Sequence, residues 1–168
     1  SSNNIVVSNT IDATRLGYYG GEPVNGNGIL ISDQSNNNIL KNNNISNSQI
    51  GGIKVHNSTG NITSYSNMWN NNINYNDIAP GIGDISANPV YTYAFNDLLR
   101  LNEVRKPNYH LRKTSPSIDT GDPSSDYSYE PQPNGNRINI GAYGNTVEAA
   151  PTIISPGEGR RFQEVSNP

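Results

Sequence analysis

A motif in this chain returns about every 23 residues, and that return limits the fold more than any other feature. Ile39 with Ile45 and Ile62 with Met68 are the same pair, six residues apart, and the second pair lies 23 residues after the first. Ile5 with Ile11 is the pair again, and each leading isoleucine follows an asparagine: Asn4, Asn38 and Asn61. Gly28-Ile29-Leu30-Ile31 returns 24 residues later as Gly52-Ile53-Lys54-Val55. A fixed period of this size marks a stacked-repeat architecture, in which one unit cannot bury its own apolar face. The unit is strand-like, because Ile29/Ile31 and Ile53/Val55 alternate and no helical stripe runs through the region. The spacing therefore predicts an all-β, right-handed parallel β-helix of about three coils of ~23 residues. Asparagine suits its corners, since it tolerates the left-handed backbone and bonds its own turn, and stacked copies can form an amide ladder. On this reading Ile5, Ile39 and Ile62 stack one above another inside the wall, with Val7 and Ile11 also pointing inward.

Composition narrows the function classes. A hydrophobic content of 32% with 29 asparagines would suggest disorder, but only 15% of the 168 residues are charged and the periodicity argues for folding. With no cysteine there is neither a disulfide framework nor thiol chemistry. A net charge of −3 with eleven scattered basic residues leaves no nucleic-acid footprint. No run reaches the roughly 18 apolar residues of a membrane span. The chain starts at Ser1 without a signal peptide, which suggests a mature product or a piece of something longer.

The regular spacing breaks once. From Ile5 to Ile39 is 34 residues, about eleven more than one period, and the surplus sits around Arg15 to Pro23. Such an insertion becomes a projecting loop, often on the binding face. Arg15, Tyr18 and Tyr19 could stack on and bond a sugar there, or the two tyrosines could simply pack the loop down. Lys54 lies between inward Ile53 and Val55 and so points to solvent, as does His56. A base and a cation of this kind could serve β-elimination of a uronate, though lysine on a solvated strand is common; Asp33 and Lys41 have the same standing. The Asn-Xaa-Ser/Thr tripeptides at Asn44, Asn57 and Asn61 arise by chance in so asparagine-rich a repeat. Beyond Asn76 glycine and proline end the pattern, and Phe95 to Leu101 is the only stretch with helical character.

The segment from Ala87 to Gly144 carries a resemblance. Ala87-Asn88-Pro89-Val90-Tyr91, Asn108-Tyr109-His110-Leu111, Ser115-Pro116-Ser117-Ile118-Asp119-Thr120-Gly121-Asp122 and Asn139-Ile140-Gly141-Ala142-Tyr143-Gly144 are its elements. They resemble the C-terminal closing segment of secreted right-handed parallel β-helix proteins, among them bacterial polysaccharide lyases and related surface proteins. The chain departs from the family pattern at Asn88 and Asn139, where aspartate is usual, and at Gly144, where glutamate is usual. The resemblance implies a secreted or cell-surface location and a terminal structure; it does not imply one reaction. A segment carrying Tyr109, Leu111, Ile118, Ile140 and Tyr143 could cover the open end of the last coil. Asp119, Asp122 and Asp126 are spaced as in an oxygen-rich loop, which could hold Ca²⁺ or could cap backbone amides.

The expected organisation is coils over residues 1–76, a closing segment over 77–144, and over 145–168 a linker with the start of an immunoglobulin-like module. Three functions fit. The first is the C-terminal portion of a protein that binds or degrades an acidic polysaccharide, pectin- or alginate-like, with catalytic residues outside this chain. The second is a non-catalytic adhesion module. The third is one subunit or cleaved half of a β-helix enzyme, completed by N-terminal coils or by a second polypeptide. A cluster of outward charges on consecutive coils of one face would separate the first from the second.

Overall fold

The strands are short because left-handed corner residues end them. Ser8, Asn42 and Tyr65 have φ of 54°, 56° and 47°, and Ala13, Asn47 and Asn70 have φ of 57°, 57° and 51°. Each set recurs at the same point of the repeat, and each residue bends the chain by a conformation that asparagine accepts at low cost. The corners do not interrupt the hydrogen bonding between repeats. Ser8 donates its N–H to Lys41 O at 3.2 Å and Asn42 to Ser64 O at 3.3 Å, while Ala13 donates to Ser46 O and Asn47 to Trp69 O, both at 3.0 Å.

The computed structural model describes residues 1–19, 22–95 and 106–153. In order, its strands are β1 (Ile5–Val7), β2 (Thr10–Asp12), β3 (Gly17–Tyr19), β4 (Glu22–Val24), β5 (Asn27–Ile31), β6 (Ile39–Lys41) and β7 (Asn44–Ser46). They continue with β8 (Gly51–Val55), β9 (Ile62–Ser64), β10 (Asn67–Trp69), β11 (Ile73–Asn76), β12 (Tyr91–Tyr93) and β13 (Asn108–Leu111). Three parallel three-stranded sheets result, ordered β1-β6-β9, β2-β7-β10 and β5-β8-β11. The chain visits the three sheets in the same sequence on each of its circuits, which is the topology of a parallel β-solenoid. The surplus residues of the first circuit form the antiparallel β3-β4 hairpin, with Tyr18 opposite Pro23 and Tyr19 opposite Glu22.

Ile5, Ile39 and Ile62 are in register, one above another, but they face outward. Their exposures are 65%, 37% and 54%, and Val7 is exposed as well. The inward positions of that sheet are Val6, Leu40 and Thr63, with Leu40 fully buried. The reason lies one residue upstream. Asn38 is buried in the corner, where its side chain bonds to neighbouring circuits, so Ile39 must point away and Leu40 inward. The left-handed corner at Asn42 then breaks the alternation, which is why Ile45, six residues after Ile39, is inside. The other expected core residues are inside: Ile45, Ile53 and Met68 are fully buried, Val55 and Ile31 are buried, and Ile11 and Ile29 pack against them. Replacing Ile39 by Ser should therefore change the unfolding free energy by no more than about 0.5 kcal/mol in urea titration, the range for an exposed site.

Asparagine side chains run in columns along the corners. Asn38 Oδ1 accepts from Asn4 N–H at 3.0 Å and Asn4 Nδ2 at 2.8 Å. Asn61 Oδ1 takes the same two groups of Asn38 at 2.9 and 2.7 Å. In a second column Asn43 Oδ1 accepts from Asn9 N–H and Nδ2, both at 3.0 Å, and Ser66 Oγ accepts from Asn43 N–H at 3.2 Å. Each column satisfies corner amides that no strand partner reaches.

Residues 78–87 close the end beyond β9 to β11. Ile85 bridges to Asn67, and Tyr65 and Met68 donate their N–H groups to Ile82 O and Ile85 O at 2.9 and 3.0 Å. Asp84 anchors this cover. One carboxylate oxygen accepts from Ser66 N–H at 2.8 Å and the other from Gly81 N–H at 2.8 Å and Tyr75 OH at 3.1 Å. Burial, and then the charge and bond of Asp84, push the Tyr75 phenol far above its usual range. The rest of the C-terminal region lies along a flank of the solenoid, as described next. Apart from Phe95, the stretch expected to be helical lies outside the described residues, as do residues 154–168 of the expected immunoglobulin-like start.

Candidate functional site

The outer surface of the β2-β7-β10 sheet carries two rows of side chains, and the C-terminal region covers both. The first row is Thr10, Asn44 and Asn67. Asn44 Nδ2 donates to Ile140 O at 2.8 Å and its Oδ1 accepts from Ser117 OH at 2.9 Å. Asn67 donates to Ser117 Oγ at 2.9 Å and Ala87 O at 2.8 Å, and Ala142 N–H reaches Thr10 Oγ1 at 3.1 Å. The Ser-Pro-Ser-Ile-Asp and Ile-Gly-Ala-Tyr units are thus strapped onto the wall by buried amides. Gly141 has φ +108° and lies so close that a Cβ would sit 2.8 Å from both Asn44 Nδ2 and Thr10 Oγ1, which is why the unit needs glycine there.

The three departures from the resembled pattern have local explanations. Asn139 Oδ1 accepts from Asp119 N–H while its Nδ2 donates to Ala150 O, both at 2.8 Å, and a carboxylate could not supply the donor. A Cβ on Gly144 would run into Asn139 O. Asn88 Oδ1 takes Val90 N–H at 2.9 Å, a turn bond an aspartate could also make. Glu130 is buried beneath the strap and accepts from Asn139 N–H and Asn145 N–H at 2.8 and 2.9 Å. Burial pushes its carboxyl above the usual range against the opposing pull of those two amides.

In the second row, Asp12, Ser46 and Trp69, the first two meet β12 and β13. Asp12 gathers Ser46 OH and Asn47 Nδ2 at 2.7 Å and Tyr109 OH at 3.3 Å. Burial, and then the Asp12 carboxylate, push the Tyr109 phenol up to about 12. Tyr91 meets Tyr109 edge to face with centroids 5.2 Å apart. At the outer rim the His110 ring lies on Tyr143 at 3.8 Å, with Nδ1 2.6 Å from Asn108 Oδ1 and Nε2 2.8 Å from Glu148 Oε2. This rim is half-exposed and held in place by the stacked rings and the two hydrogen bonds of the imidazole. Sequence reasoning missed Asp12, Asp84 and the role of His110. Asp12 meets Tyr109 from 97 residues away and His110 meets Glu148 from 38, pairs that no local spacing announces, while Asp84 draws its partners from 3 to 21 residues away in a stretch where the repeat has already ended.

The residues singled out from sequence are distributed rather than gathered. Lys54 is half-exposed on β8 in register with Leu30 and Asn76, and His56 is exposed two residues on. Arg15 donates to Asn47 O at 2.9 Å, and Tyr18 and Tyr19 occupy β3. Asp119 takes Thr152 OH at 2.6 Å, Asp122 takes Lys41 Nζ at 2.7 Å, and Asp126 takes Ser128 N–H at 3.0 Å and Asn145 Nδ2 at 3.1 Å. Each of these three carboxylates has its own partners, and among the described residues no three His, Asp or Glu side chains converge as metal ligands.

The Asp122–Lys41 pair locks the strap to β6. Burial would raise Asp122, but the Lys41 bond, the N–H and OH of Ser124 and the Lys41 charge outweigh it, holding the carboxyl at about 2 against an ordinary 3.8. A depressed carboxyl contributes stability above its unfolded pKa and loses it as pH falls through the folded one. Between pH 3.8 and 2 the lock should therefore release. Lys41→Met should move the acid-unfolding midpoint, followed by circular dichroism, to higher pH.

Fold and flank together define the class: an all-β parallel solenoid with buried asparagine columns and a lateral C-terminal strap. No family model, curated protein or solved structure matches the chain.

Proposed function

We propose that this chain is the C-terminal portion of a secreted or cell-surface right-handed parallel β-helix, about three coils long, that binds an acidic polysaccharide of the pectin or alginate kind. The observation that carries the reading is the outer surface of β5-β8-β11. Lys54 projects from β8 there and His56 lies just past its end, and the side chains in register with Lys54 are uncharged Leu30 and Asn76. Two exposed donors two residues apart in sequence, one on β8 and one just past its end, suit the carboxylates of a uronate chain. β-Elimination needs more: a base at the α-proton together with a cation on the carboxylate. A row with a single charge favours binding over catalysis, so any bond cleavage belongs to residues outside this chain.

The test is retardation of the chain in gels containing polygalacturonate or alginate, with and without Ca²⁺, while ultraviolet absorbance follows any unsaturated product. Retardation without product is expected. Lys54→Glu should weaken it about tenfold, the equivalent of roughly 1.4 kcal/mol. If the parent chain is not retarded by either polymer, the glycan reading falls and the adhesion module stands in its place.

A further inference from the structure

The two ends of the solenoid are finished differently. Beyond β9 and β10 the 78–87 cover and Asp84 occupy the edge, and Met68 beneath them is fully buried. At the other end β1, β2 and β5 are the outermost strands of their sheets. The layer they hold, Val6, Ile11 and Ile29, is only half-buried, whereas Leu40, Ile45 and Ile53 directly beneath are completely buried. Three strand edges that have no strand partner among the described residues, around a partly open apolar layer, form a template for a further layer.

The asparagine columns say which kind. In both of them the side-chain oxygen of one circuit accepts from the N–H and Nδ2 of the circuit before it. Asn4 and Asn9 head their columns. Both donate to the circuit below, and among the described residues neither Oδ1 accepts a bond; both side chains are exposed. The open edge therefore presents two oriented acceptors at fixed corners.

We infer that this edge is a docking surface for one β-coil, contributed from outside the described chain, that winds in the same sense and presents an asparagine at each of the two corners. Its strands pair in parallel with β1, β2 and β5, and its corner N–H and Nδ2 groups bond to Asn4 Oδ1 and Asn9 Oδ1. A second copy of this chain does not meet the requirement. Its far end is taken up by Asp84 and the 78–87 cover, and two first edges set face to face would oppose acceptor to acceptor. The inference rests on the fold and not on glycan binding.

The experiment places a copy of residues 35–57 ahead of Ser1, which sets the copies of Asn38 and Asn43 one 23-residue period before Asn4 and Asn9 respectively. Hydrogen exchange then reads the amides of β1, β2 and β5. They should exchange at least about tenfold more slowly than in the parent, with a higher unfolding temperature. Alanine at the two copied asparagines should remove most of that protection. An extension that stays unprotected, or that lowers the unfolding temperature of the residues after it, overturns the inference. So does a parent chain whose edge amides are already protected by self-association, read by repeating the exchange across a concentration series with sedimentation.

Discussion

Ile45→Ala is expected to lower the unfolding free energy by about 3–5 kcal/mol, the upper part of the range for a buried aliphatic. Ile45 is fully buried and stacked in register between Ile11 and Met68, in the middle of the apolar cluster. Its Cγ2 packs against the backbone of Gly28 on another sheet, where a Cβ would collide with it. The corners around it are held by interlocked asparagine columns and cannot move in to fill the gap, so most of the cavity cost remains. A domain of this size has roughly 5–15 kcal/mol in total, so the substitution removes a large part of it. Urea titration measures the loss, and Ile39→Ser, an isoleucine six residues away, is the internal control. Equal effects at the two sites would disprove the inside–outside assignment.

Asp84→Ala is expected to cost about 3 kcal/mol and to act at one end only. The substitution leaves Ser66 N–H, Gly81 N–H and Tyr75 OH without their acceptor, and bonds to a charged acceptor contribute roughly 1.5–3 kcal/mol each, though not additively. The 78–87 cover should detach, exposing Met68 and the edges of β9 and β10. Hydrogen exchange at Tyr65 to Trp69 should accelerate while β1 and β6 keep their protection. Asp84→Asn retains one acceptor oxygen and should lose about half as much. The Tyr75 phenol should move down toward its ordinary value in Asp84→Ala, which ultraviolet titration reads independently of stability.

Much of the solenoid is legible from residue order. The 23-residue return matches the register of Ile39 on Ile62 and Ile45 on Met68, and the 34-residue spacing at the start matches Ile5 on Ile39. The surplus around Arg15 to Pro23 marks the place of the one inserted element, the antiparallel β3-β4 pair. Asparagine at corners is legible too, since Asn42, Asn47 and Asn70 have left-handed backbones and Asn38 and Asn43 build the columns. Inside and outside were not legible on the β1-β6-β9 sheet. A three-residue strand has too few alternations to set its own phase, so the corner asparagine decides it. The candidate site was legible only as a set of residue types. Lys54 and His56 could be placed on an outer face, but the uncharged row around Lys54 depends on which residues of other circuits lie beside it.

Residue order alone determined that the chain stacks, the length of its repeat, the identity of its corners and the place of its one interruption. These follow from local backbone preference and a fixed period, and both are properties of neighbouring residues. The tertiary structure decided which isoleucines are core, that Asp84 rather than the Ile-Gly-Ala-Tyr unit closes the end, and that this unit is instead strapped to the flank through Asn44 and Thr10. Those outcomes turn on hydrogen bonds that span as many as 132 residues, as between Ala142 and Thr10. A buried amide is satisfied by whichever partner the fold brings to it, and sequence distance carries no information about that partner.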